Sequence, residues 1–142
     1  MVDISGKATT HREARAEGLV RILASHREAL GALPKGDVLT AAQIAGIQGG
    51  KRCSELIPLC HPIGLSDLDV RVWVAEDGIR IEAVARTDAP TGVEMEAYTA
   101  VCVAGLTVID MLKGVDPDLE LGEIRLMEKT GGKRDWRRGS GS

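Results

Sequence analysis

Apolar and polar positions alternate most cleanly between Asp67 and Ala85. Leu68, Val70, Val72 and Val74 interleave with Asp67, Asp69, Arg71 and Trp73, and after Asp77-Gly78 the period of two resumes through Ile79, Ile81, Ala83 and Ala85. Alternation broken by Asp-Gly predicts two antiparallel strands joined by a two-residue turn, with Asp69, Arg71, Arg80 and Glu82 on the wet face. A last strand is expected over 123–128, where Ile124 and Leu126 alternate with Glu123 and Arg125. Between Arg12 and Ile22 the composition favours helix, yet Ala14, Ala16, Gly18, Val20 and Ile22 occupy alternate positions, and we read a strand.

Three stretches read as helices. Ser25 with Glu28 forms a capping box for a short helix that ends within 31–36, at Pro34. Asp37 is placed to cap a longer helix reaching about Ile57, where Pro58 stops it. Its Gly49-Gly50 pair costs roughly 1 kcal/mol per glycine relative to alanine, so a second helix or another subunit should pack closely there. Thr91 with Glu94 forms another capping box, opening a helix through about Lys113 that Gly114 ends as the C′ residue. From Ala97 to Ile109 that helix carries almost nothing charged and should be buried on nearly every side. Four strands and three helices predict an α+β sandwich over 1–129, an antiparallel sheet with helices on one face. Residues 130–142, rich in Gly, Arg and Ser, read as a mobile tail whose final Gly-Ser-Gly-Ser resembles an appended segment.

Length and charge narrow the function. A chain of 142 residues suffices for one domain with a core. Its hydrophobic share is 44%, no apolar run approaches the roughly 18 residues of a membrane span, and 1–7 lack a secretory signal's apolar stretch, so a cytoplasmic protein is expected. Cys53, Cys60 and Cys102, odd in number, suit a reducing compartment. With a net charge of −3 and only Trp73, Trp136 and Tyr98 able to stack on bases, nucleic acid is a poor partner. A polyphosphate site would have to gather its cations locally.

Candidate chemistry falls at four places. His61 lies between Pro58 and Pro62 just past a helix end, fit for a general acid or phosphate ligand, or else a capping or merely exposed histidine. Cys53, Cys60 and His61 invite zinc, but no pairwise ligand spacing appears and no metal is expected. Asp110 and Lys113 share one face of the last helical turn, as a surface ion pair or as an acid/base pair. In Glu94-Met95-Glu96, Glu94 has its capping role whereas Glu96 has none. Glu96 and Asp110 lie about 21 Å apart along a helix, so joint service to one small substrate requires two subunits. Finally, Lys129-Thr130-Gly131-Gly132-Lys133 could fold its backbone around an anion without being a Walker loop, or form a basic tail.

Met1 to Ser5, Arg12 to Ala16, Lys35 to Val38, Ile44 to Gln48, Lys51-Arg52, Leu56 to Pro62, Thr91 to Ala97, Asp110-Met111 with Lys113, and Lys129 to Lys133 together closely resemble the cyclic pyranopterin monophosphate synthase (MoaC) family. The resemblance runs over nearly the whole chain and implies a ferredoxin-like α+β fold with a four-stranded antiparallel sheet. It also implies a homohexamer built as a trimer of dimers, with active sites at the dimer interface. The implied substrate is a small nucleotide, a cyclo-dihydro-GTP with ribose already bonded to base. It is converted to cyclic pyranopterin monophosphate and pyrophosphate without a cofactor, in molybdenum cofactor biosynthesis. By position, Asp110 and Lys113 match the catalytic pair. Leu59, Cys60, His61, Glu94, Met95 and Glu96 match substrate-contact segments, and Arg12, Lys35, Lys51, Lys129 and Lys133 match cations expected to hold phosphates or assist proton transfer. His11, Gly49-Gly50 and Arg134 depart from the usual residues, and the family's segment ahead of Met1 is expected to be absent or replaced. Two competing readings are a non-catalytic nucleotide- or protein-binding subunit and a zinc hydrolase using His61 and the cysteines.

Overall fold

A computed structural model describes residues 1–31, 33 and 35–140, with only the backbone of Glu28, Ala29 and Gly31. The central strand β1 (Thr10–Arg21) pairs antiparallel with β3 (Gly78–Ala89) on one side and β4 (Glu120–Thr130) on the other. Strand β2 (Asp67–Ala75) extends the sheet beyond β3, and β5 (Trp136–Arg137) beyond β4, giving the order β2-β3-β1-β4-β5. Helices α1 (Val38–Lys51), α2 (Cys53–Leu56) and α3 (Glu94–Leu112) complete an α+β fold. A 3-10 turn over Ala24–Gly31 supplies the short first helix, while the Glu28 half of its capping box and the stop at Pro34 lie outside what is described.

Small side chains explain why 10–21 is a strand despite its helical composition. Ala14, Ala16 and Val20 are buried on one face beneath α3, and a Cβ on Gly18 would lie 2.6 Å from Val101 Cγ1. A close-lying helix requires that stripe, and burial outweighs local propensity. The opposite face is polar: Arg15 stands 3.2 Å from Glu82, Arg86 2.8 Å from Glu13 and Arg125 3.1 Å from Glu17. These are cross-strand charge pairs of the kind that sheets favour. The hairpin forms as expected, one residue off: Ala75 pairs with Gly78, so the turn is Glu76-Asp77 and Gly78 opens β3.

Gly49 and Gly50 do have a close neighbour. Added Cβ atoms would lie 2.5 Å from Val103 Cγ2 and 2.5 Å from Leu68 Cδ2 respectively, so the pair lets α1 sink onto α3 and β2. Asp37 caps α1 through Leu39 N at 3.0 Å. The single helix expected to Ile57 is corrected to two pieces, because Arg52 leaves helical geometry and its N–H turns back to Gly49 O. That break aims α2 and the 57–62 segment toward the start of α3.

Other corrections concern α3 and the C-terminus. The Thr91–Glu94 capping box does not form: Val93 is the N-cap and no side chain caps the helix, which frees Glu94. Leu106 is 58% exposed, so α3 is not buried all round. α3 also reaches the length and composition of a membrane span, which overturns the expectation that nothing approaches one, although over half of it is buried inside the fold. The final strand is longer than 123–128. Part of the expected tail pairs as β5, with Lys129 opposite Trp136. Sequence reading also passed over Asp116. Its buried carboxylate stands 3.1 Å from His26 Nδ1 and accepts from Asp118 N at 2.9 Å, tying the 3-10 turn to the end of α3, and His26 beside it holds its pKa below the usual range.

Candidate active site

Candidate residues lie at both ends of α3. At its C-terminal end Asp110 is half exposed and bridges two ammonium groups, with Lys113 Nζ 2.9 Å from Oδ1 and Lys35 Nζ 2.6 Å from Oδ2. Lys113 is three residues away on the same helix face, whereas Lys35 arrives from the loop before α1. Hydrogen bonds from Lys35 and then Lys113 lower the Asp110 pKa to about 2. At neutral pH this carboxylate therefore has no proton to give. In such an arrangement the ammonium groups are the proton donors and the carboxylate holds them in place, a geometry suited to relaying protons.

At the other end Glu96 is 3% exposed, and burial pushes its pKa up. Cys60 Sγ lies 3.8 Å from Glu96 Oε1 and 3.8 Å from Cys53 Sγ, while Thr99 Oγ1 donates to Cys53 Sγ at 3.4 Å. Glu96 Oε2 has no hydrogen-bond partner among the described residues. Burial first, and then the Glu96 charge, push the Cys60 thiol up to about 12. His61 Nε2 is 2.7 Å from the carbonyl oxygen of Val2. A carbonyl only accepts, so Nε2 carries the proton and Nδ1 remains for another partner. Leu59 and Met95 flank this end as exposed apolar side chains.

A cavity of about 1130 Å³ opens between the N-terminal segment, the 91–94 turn and the end of β4. Six cationic side chains, Lys7, Arg12, Lys129, Lys133, Arg134 and Arg138, line it against the single carboxylate of Glu94. Such a balance suits a multiply charged anion even in a chain of net negative charge. Arg12 donates to the carbonyls of Ala89 and Pro90 at 3.0 and 3.3 Å, which anchors the turn leading into α3. Lys129 Nζ stands 4.0 Å from Glu94 Oε1. Trp136, with Arg138 5.5 Å over its ring, closes one wall.

Glu94, Arg12, Lys129 and Lys133 thus share the cavity, Cys60 meets Glu96, and Lys35 joins Asp110 and Lys113. Lys51 belongs to none of these groups and borders a separate hollow with Ile47 and Leu68. Lys7 and Arg138 were missed by sequence reading, and Trp136 was considered there only for stacking on bases, although the basic run around an aromatic at 133–138 was a usable signal. Fourteen positions of helix, about 21 Å, separate Glu96 from Asp110 on α3, so one chain does not gather the groups.

The model of the MoaC family matches residues 1–132. The chain is 51% identical over 141 residues to a cyclic pyranopterin monophosphate synthase of Streptomyces coelicolor, a match covering 97% of the chain and 83% of that protein. A protein of the same name from Deinococcus radiodurans is 52% identical over 135 residues, covering 94% of the chain and 80% of the relative. A molybdenum cofactor biosynthesis protein 1 of Drosophila melanogaster is 50% identical over 142 residues, which are 97% of this chain and 25% of that protein.

Proposed function

The chain belongs to the MoaC family, and from that premise we propose that it converts a cyclo-dihydro-GTP to cyclic pyranopterin monophosphate and pyrophosphate, in molybdenum cofactor biosynthesis. The observation that carries this reading is the pairing of a cation-lined cavity with an ammonium–carboxylate–ammonium relay at the far end of the same helix. Opening a purine and rebuilding it as a pterin requires several proton transfers, which Lys35, Lys113 and Asp110 are arranged to relay. Expelling pyrophosphate requires charge neutralisation, which Arg12, Lys129 and Lys133 supply. Leu59, Cys60, His61, Met95 and Glu96 contact the rest of the nucleotide. No redox step is involved, and no cofactor is invoked.

The working form is a homohexamer, a trimer of dimers of ferredoxin-like protomers to which β5 adds a fifth strand. Each active site joins the Glu96 end of one α3 to the Asp110 end of a partner's. Ile44, Leu59 and Leu106, each more than half exposed, offer apolar surface for a second copy to cover. Three free cysteines fit a cytoplasmic setting. Incubation with the cyclo-dihydro-GTP tests the reading: pyrophosphate and, after oxidation, pterin fluorescence are expected to rise together. Release of neither would remove the proposed reaction.

A further inference from the structure

We propose that Cys53, Cys60 and Glu96 form a binding site for one thiophilic divalent cation, zinc in the first instance, with solvent as the fourth ligand. The donors come from three elements, α2, the 57–62 segment and the first turn of α3, and their ligand atoms all lie within 4.8 Å of one another. The two sulfurs are 3.8 Å apart. In a tetrahedral site with zinc–sulfur bonds of about 2.3 Å the sulfur–sulfur edge is also about 3.8 Å, so neither cysteine has to move toward the other. The corresponding sulfur–oxygen edge is about 3.5 Å, against the 3.8 Å between Cys60 Sγ and Glu96 Oε1. A small rotation of the carboxylate closes that gap.

A second observation points to a ligand rather than to packing alone. Glu96 is almost wholly buried, yet its Oε2 has no partner among the described residues and its Oε1 meets only the weak Cys60 thiol. The carboxylate as a whole thus lacks the charge that would offset its burial, and an ion held by either oxygen supplies it. Cys53 is buried and receives the Thr99 hydroxyl at 3.4 Å, an outer hydrogen bond of the sort that orients a ligating thiolate. Cys60 is only partly buried, which leaves a path for the ion and room for a water. Binding exchanges the two S–H protons for two metal–sulfur bonds. Both protons leave to solvent, the two thiolates balance the charge of the divalent ion, and the Glu96 carboxylate as third ligand leaves the site with one net negative charge, so no oxidant or reductant is needed. The spacing of the cysteines in the chain gave no hint of this set, because its third member lies 36 residues beyond Cys60 and reaches it through the fold.

Cobalt(II) titration of the purified full-length chain tests the site independently of turnover. We expect a thiolate-to-cobalt charge-transfer band that saturates at one ion per chain and is displaced by zinc. Cys53→Ala is expected to weaken cobalt binding by at least roughly tenfold; Cys102→Ala is expected to leave it unchanged. Glu96→Gln, which keeps the side chain's shape, is expected to retain the band with weaker affinity and guards against a Cys53 variant that fails to fold. Absence of a thiolate band in the wild-type protein, or an equal band in folded Cys53→Ala, would overturn the site.

Discussion

Lys113→Ala and Asp110→Asn each lower turnover of the cyclo-dihydro-GTP by about 10²–10⁴, the usual contribution of a positioned proton-transfer group, while circular dichroism and melting temperature stay near wild type. Both side chains are at least half exposed, and exposed ion pairs contribute little to stability. Asparagine keeps the shape of Asp110 but removes the charge that holds Lys35 and Lys113 in place. The pKa of about 2 sets the pH behaviour. Because the folded value is depressed, the favourable contribution of these pairs is present above the ordinary carboxylate pKa and is lost only as pH falls toward about 2. A rate limb near neutrality therefore belongs to another group, and a near-normal rate in both variants would exclude the relay from the chemistry.

Gly131→Ala is expected to lower kcat/KM by about a hundredfold, chiefly through KM, which corresponds to losing one or two charge-assisted contacts to phosphate. Gly131 sits at φ +89, and a Cβ there would lie 1.8 Å from the backbone oxygen of His11. Backbone cannot yield as a side-chain tip can, so the loop has to lift off β1. Lifting breaks the bond from Thr10 Oγ1 to Gly131 O at 2.7 Å, which ties the loop to β1, and strains the bond within the loop from Gly131 N to Asp135 Oδ1 at 3.0 Å. Lys133 and Arg134, which follow on this loop, would leave the cavity wall. Gly139→Ala serves as the control: it too has positive φ, at +77, but open space around it, so only backbone strain is added and substrate KM should hold. Equal KM values for the two variants would show that the loop does not hold the phosphates.

What was legible in the sequence was whatever depends on neighbours along the chain. The β2–β3 alternation, the Asp37 cap and the small-residue stripe of β1 each state a local rule that burial then reinforces. Errors arose where a distant contact decides. Thr91 and Glu94 have the spacing of a capping box, yet Arg12 holds the carbonyls at 89 and 90 and the helix starts from Val93 without a side-chain cap. The helix expected through Ile57 breaks at Arg52, just beyond the glycines that sink into α3 and β2. The 130–142 segment has the composition of a tail, but Trp136 finds a strand partner in Lys129. The site divides in the same way. Asp110 with Lys113 is a helix-spacing pair and was visible, whereas Lys35, 75 residues away, reaches Asp110 only through the fold.

The most direct test of a two-chain active site is subunit mixing. Glu96→Gln and Asp110→Asn proteins, each expected to be nearly inactive alone, are dissociated, combined in equal amounts and reassembled. If each site takes its Glu96 and its Asp110 from different chains, random pairing restores roughly a quarter of the wild-type sites, and activity should return to about that level. Mixed oligomers that form but stay as inactive as their parents would contradict the account.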